Sequence, residues 1–185
     1  MIPVAFWWIG SEAADRNLLG RVLRDTKATF EIEVQHHTAA TRPTDAFDPR
    51  RQQHLSTRIL KWLVERHPNP NGKVVGITDV DLFIPILTFV YGEAQLGGSA
   101  AVVSMARLVP ENGTADREAI LASRLAKECV HELGHTFGLI HCHRPRCVMA
   151  RSVNVAQVDA KDTALCNDCW GRYRELRRGE QVSHE

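Results

Sequence analysis

The residues best equipped for chemistry lie in HELGHTFGLIHC, positions 131–142. His131 and His135 are four apart, so one helical turn brings both imidazoles over the same point. Glu132 projects about 100° round the helix from His131, beside that point, where it can hold a water without becoming a ligand. His141 comes six residues after His135. An unbroken helix would carry it roughly 240° round and ~9 Å along the axis. It rejoins the other imidazoles only if the chain turns, and Gly138 is the residue best able to take the left-handed geometry that this needs. Three neutral imidazoles leave the fourth position of a tetrahedral zinc open, the mark of a catalytic rather than a structural site. Zinc in such a site lowers the pKa of a bound water to about 7. Glu132 is then placed to take that proton and pass it to the leaving amine of a peptide bond.

A second set of donors follows at once. Cys142, Cys147, Cys166 and Cys169 form a short-range pair and then a C-x-x-C pair, the spacing that a tetrahedral four-thiolate zinc site needs. On spacing alone, two disulfides or unrelated free thiols remain alternatives. His141 and Cys142 are neighbours whose side chains can point apart, one to each metal. Cys129 stands two residues before His131 on the apolar row and is expected to be a buried core thiol. His143 is read as a surface loop residue.

Positioning these groups takes a helix and a sheet. A long helix is predicted from an N-cap at Asp116, with Glu118 in its first turn. Leu121, Leu125, Cys129, Leu133 and Phe137 form its core-facing row, and Lys127, His131 and His135 a polar one. Upstream, strands are predicted over 2–9, 30–35 (FEIEVQ) and 73–81 (KVVGITDVD), with helices over 11–25 and 50–67. FVYGEA and AAVVSMARL, separated by QLGGS, read as two further strands. This alternation predicts an α/β fold with a largely parallel sheet and one antiparallel edge strand.

The bulk properties suit a soluble globular chain of 185 residues with 44% hydrophobic and 24% charged residues. A net charge of +1 gives no electrostatic case for nucleic acid or an anionic membrane as partner. MIPVAFWWIG lacks the basic region and cleavage site of a signal peptide, and LFIPILTFV is too short to span a bilayer. The expected setting is therefore cytoplasmic, where five cysteines speak for metal or redox chemistry rather than disulfides.

The run H-E-x-x-H-x-x-G-x-x-H-C-x-x-x-x-C-x-M, followed by C-x-x-C, resembles the archaemetzincin family of metzincin-type zinc peptidases over positions 131–169. DVDLFIPILTFVYGEAQLGGSAAVVSMARL resembles that family's upper sheet and edge strand. The resemblance implies a metzincin-like fold with a small zinc-bound C-terminal lobe, and so subdomains 1–141 and 142–185. It implies a catalytic zinc on His131, His135 and His141, with Glu132 as general base. A second, structural zinc would sit on Cys142, Cys147, Cys166 and Cys169, and Met149 would be the methionine turn beneath the site. A peptide or protein substrate could pair with the edge strand in FVYGEAQLGGSAAVV, where Gly97 and Gly98 would allow close backbone approach, although an ordinary hairpin fits as well. Two rival classes are a zinc-bound scaffold with little turnover, against which Glu132 argues, and a zinc-ribbon nucleic-acid binder. The latter would use Arg144, Arg146, Arg172, Arg174, Arg177 and Arg178, which also fit a solvated helix face and loop.

Overall fold

The computed structural model describes residues 2–10, 15–39, 41–67 and 71–182. Strands β1 (Val4–Trp8), β2 (Val34–Thr38), β3 (Phe47–Asp48), β4 (Gln53–Leu55), β5 (Lys73–Thr78), β6 (Leu82–Phe83), β7 (Gly92–Ala94) and β8 (Ala100–Ser104) form two sheets. The larger has the order β2-β1-β5-β8-β7, parallel throughout except for β7, which closes the edge antiparallel to β8. Its central strands β5 and β8 are buried at every residue, which is why KVVGIT and AAVVS read as near-continuous apolar runs.

Period two then sorts β5 between two cores. Val75 and Ile77 join Leu18, Leu19 and Val22 of helix α1 (Arg16–Phe30) and Leu125, Cys129 and Leu133 of helix α3 (Arg117–Thr136). Val74 joins Ile59, Leu60 and Leu63 of helix α2 (Ser56–Arg66) on the opposite face. The result is a three-layer α/β arrangement. Beyond α3, residues 142–182 supply a loop and helices α4 (Val155–Ala160) and α5 (Asn167–Val182). Cys147, Val148, Met149, Val158 and Tyr173 from this segment bury themselves against α1 and α3. No helix among the described residues is long and apolar enough to cross a membrane.

Several boundaries differ from the sequence reading. The first helix spans 16–30 rather than 11–25, whose residues 11–14 lie outside the described ones. Asp15 caps it, accepting from the N–H groups of Asn17 and Leu18, and Glu31, with φ 54°, ends it. Phe30 is therefore helical, and the strand expected at 30–35 begins at Val34. The helix expected from Arg50 starts at Ser56, because residues 53–55 form β4 of the small sheet β3-β4-β6. Asp116 does precede α3, but with φ 55° its side chain makes no cap bond.

The largest correction concerns the polar row of α3. Lys127 is 7% and His131 5% exposed, so that face is covered rather than solvated. Its cover is the segment from Val148 to Lys161: Val148 O accepts from His131, and Val158 O from Lys127.

Candidate active site and metal centres

α3 stops where the third histidine needs it to. Gly138 takes φ +88°, its N–H donates to His135 O, and the Leu139 N–H donates to Gly134 O. The reversed chain points Leu139 O back at His135, whose Nδ1 lies 2.7 Å away, while Nδ1 of His131 lies 2.8 Å from Val148 O. A carbonyl can only accept, so both Nδ1 atoms carry the proton and both Nε2 atoms are bare. Those two lone-pair nitrogens stand 3.1 Å apart. Without a cation this is repulsive; with zinc at ~2.0–2.1 Å from each, a tetrahedral edge of roughly 3.3 Å is what they should show. His141 closes the set, one ligand atom from each of the three lying within 4.8 Å of the others. Burial is the main cause lowering the pKa of all three rings, with the Lys161 charge second at His131, so each stays in its neutral, metal-binding form.

Glu132 borders the same point. It lines a cleft of about 270 Å³ together with His131, His141, Gly92 and residues of the 151–153 loop. Burial first, and then the charge of Glu128, push its carboxyl well above the usual range. A Cβ on Gly92 would lie 2.6 Å from Glu132 Cγ and 2.7 Å from Val102 O. Glycine at the start of β7 is thus what lets the edge strand run directly across the glutamate.

Met149 is fully buried against α3, and a Cβ on Gly134 would meet its sulfur at 2.5 Å. Gly134, an unspecified position in HELGH, is the gap into which the methionine fits. Its loop is tied twice: Met149 O accepts from the Cys142 N–H at 2.9 Å, and Ala150 O from Lys161 Nζ at 3.3 Å. Lys161 also pairs with Glu128 at 2.9 Å, with side chains only 1% and 4% exposed. Sequence reasoning missed Gly92, Gly134, Glu128 and Lys161. A glycine inside a helix and another inside a strand were the available signals for the first two; the ion pair spans 33 residues and leaves none.

Cys142, Cys147, Cys166 and Cys169 come together with all four sulfurs within 4.8 Å of one another. The Cys142 and Cys166 sulfurs are 3.8 Å apart. That is the edge expected of a tetrahedron with ~2.3 Å Zn–S bonds, and far beyond a disulfide's ~2.05 Å. Backbone N–H groups of Arg144 and Cys166 point at the sulfurs of Cys142 and Cys147, as thiolates favour. Burial opposes ionisation of Cys166, but the Cys169 N–H and the neighbouring thiols outweigh it and hold the thiol down to about 7. Burial and those same neighbours push Cys169 up.

Other singled-out residues lie apart from these clusters. Cys129 is fully buried in the core, and His143 is exposed outside both ligand groups. Gly97 and Gly98 form the β7–β8 turn, where the Gly97 N–H donates to His135 O. Arg144 pairs with Asp168, Arg146 with Asp162 and Arg172 with Glu175, while Arg177 stacks on Phe137.

A parallel sheet with one antiparallel edge strand, running across a helix that ends in a glycine turn above a buried methionine, is the architecture of metzincin-type zinc peptidases. Comparison with known proteins makes the assignment more specific. The chain matches Peptidase family M54 over residues 6–177 and belongs to that family of zinc metallopeptidases. The archaemetzincin of Methanocaldococcus jannaschii is 42% identical over 142 residues, 76% of either chain. The crystal structure of archaemetzincin from Methanopyrus kandleri is similar with a TM-score of 0.83 at 30% identity, covering 96% of each chain. That from Archaeoglobus fulgidus, complexed with malonate, gives 0.77 at 31%, covering 92% of this chain and 99% of the other.

Proposed function

We propose that this chain cleaves peptide bonds in the cleft between β7 and α3, with His131, His135 and His141 holding zinc and Glu132 acting as general base. The observation that supports this most strongly is the pair of bare Nε2 atoms 3.1 Å apart, each fixed in that tautomer by a backbone carbonyl. Bound there, zinc supplies Lewis acidity, acidifying a water and polarising a carbonyl. Glu132 would take the proton of that water and return it to the departing amine. Its burial against Gly92 confines the carboxylate to the side of the cleft where the substrate backbone would lie.

Among the described residues no strand pairs with the outer edge of β7, so an extended peptide can pair with it by strand addition. Cys142, Cys147, Cys166 and Cys169 would hold a second zinc with a structural role, making two per chain and organising residues 142–185 as a subdomain beside 1–141. A site of four reduced thiols supports a reducing, cytoplasmic setting. The carboxylate partners of Arg144, Arg146 and Arg172 support a protein substrate rather than nucleic acid.

The test is hydrolysis of a defined peptide mixture by zinc-loaded protein beside Glu132→Ala. New amino termini should appear with the parent protein only, at equal zinc content. Equal turnover by the variant would remove Glu132 from the role.

A further inference from the structure

The wall of the cleft carries a charge that nothing among the described residues answers. Of the other acidic or basic residues lining it, Glu128 is matched by Lys161, and Glu132 belongs to the reaction proposed above. Arg151 lines the same cleft, is exposed, and forms no ion pair or side-chain hydrogen bond among the described residues. The two guanidinium groups whose charges act on Tyr91 of the cleft wall are matched: Arg107 lies 2.7 Å from Asp81 and Arg124 2.7 Å from Asp159. Arg151 departs from that pattern at the place where substrate must pass.

Its surroundings say what would match it. Leu87, Phe89 and Val153 present apolar surface to the cleft, and Val153 is 56% exposed. The Arg151 charge reaches His141, where it is the second cause, after burial, that disfavours the charged imidazole. The backbone that carries Arg151 is held. Ala150 is 6% exposed, pairs as an isolated bridge with Cys142 and accepts from Lys161 Nζ. A guanidinium fork on an anchored stem, beside apolar wall and paired with no carboxylate among the described residues, can bind a carboxylate through two parallel hydrogen bonds.

We propose that Arg151 is a specificity residue of this cleft, receiving a substrate carboxylate close to the scissile bond. The carboxylate comes from an aspartate or glutamate side chain, or from the C-terminus of a short peptide. This deepens the peptidase reading and rests on it. Arg151 positions the peptide and takes no part in proton transfer.

The test separates the two carboxylate sources and does not depend on turnover. Zinc-loaded full-length protein carrying Glu132→Ala is titrated calorimetrically with matched peptides. Glutamate replaces glutamine at each position in turn, and a free C-terminal acid replaces the amide. At least one acidic member should bind roughly five- to tenfold more tightly than its neutral partner, between the effect of an exposed pair and that of a partly shielded charge-assisted one. The advantage should shrink in high salt, vanish with Arg151→Gln and survive in part with Arg151→Lys. A preference following the side chain assigns internal acidic residues, and one following the terminus assigns C-terminal dipeptide or tripeptide release. Equal affinities, no binding of any peptide, or a preference that survives Arg151→Gln overturns the proposal. A carboxylate preference that depends on Arg151, in a protein whose Glu132-intact form cleaves nothing, keeps Arg151 as a binding residue and overturns the hydrolytic reading instead.

Discussion

Replacing Lys161 with methionine keeps the side chain's length and removes the charge that answers Glu128. The pair lies 2.9 Å apart at 1% and 4% side-chain exposure, so water cannot take over from the missing ammonium. Stranding one partner of such a pair costs roughly 3–5 kcal/mol. In a chain of this length each kcal/mol moves the melting temperature by roughly 2–4 °C, so a drop of about 6–20 °C is expected. Lys161 also ties Ala150 O, the residue after Met149, to α3, so part of the loss should appear as loosening of the loop beneath the imidazoles. Urea unfolding of the zinc-loaded protein measures the change, read as a cycle with Glu128→Leu and the double variant. The double variant should recover most of the loss, because two apolar side chains of similar volume leave no orphan charge. A coupling energy below about 0.5 kcal/mol, the value of an exposed pair, would refute this account of the buried network.

Three other perturbations probe the site. Gly92→Ala should displace the Glu132 carboxylate, since its Cβ would meet Glu132 Cγ at 2.6 Å, and turnover should fall on the order of 10²-fold while zinc content is unchanged. Gly138→Ala forces φ +88° on a residue with a Cβ, costing roughly 1–2 kcal/mol, and should weaken metal retention at the histidine site in a chelator titration. Leu176, at an ordinary 3.5 Å from that Cβ, adds no clash, so the effect is one of backbone strain. For metal-free protein, His131, His135 and His141 all have folded-state pKa values below the unfolded value of about 6.5, so the unfolded chain binds more protons. Their contribution to stability is complete above about pH 6.5 and is lost as pH falls below it, which urea midpoints between pH 7.5 and 5 should show.

What the sequence could convey depended on how local each feature is. His131, Glu132 and His135 share one helical turn, and Gly138 at φ +88° turns the chain so that His141 returns to them, so the gathering of the three histidines was legible in the spacing. The four-cysteine group was equally open to reading, because a pair and a C-x-x-C pair match the needs of one tetrahedral ion. The end of α1 and the start of α2 were not, because FEIEVQ fits the end of a helix and a link as well as a strand, and the three residues of β4 are too few to show a period. The covered face of α3 escaped for a different reason. Lys127 and His131 look like a solvated row until the segment from Val148 to Lys161 folds over them, and no local pattern encodes that contact. Lys161 and Arg151 gained meaning only once the cleft existed around them.

The proposed function requires two separate zinc ions, one on His131, His135 and His141 and one on Cys142, Cys147, Cys166 and Cys169, with the two sites adjoining at His141 and Cys142. Elemental analysis of protein purified without added metal tests it most directly, beside His135→Ala and Cys166→Ser. The account predicts about two zinc ions per chain in the parent, from two complete ligand sets, and about one in either variant. The Cys166→Ser protein should also unfold more readily, since metal binding at such a site is folding energy. One zinc in the parent, together with a Cys166→Ser variant that matches it in both metal content and stability, would contradict the account.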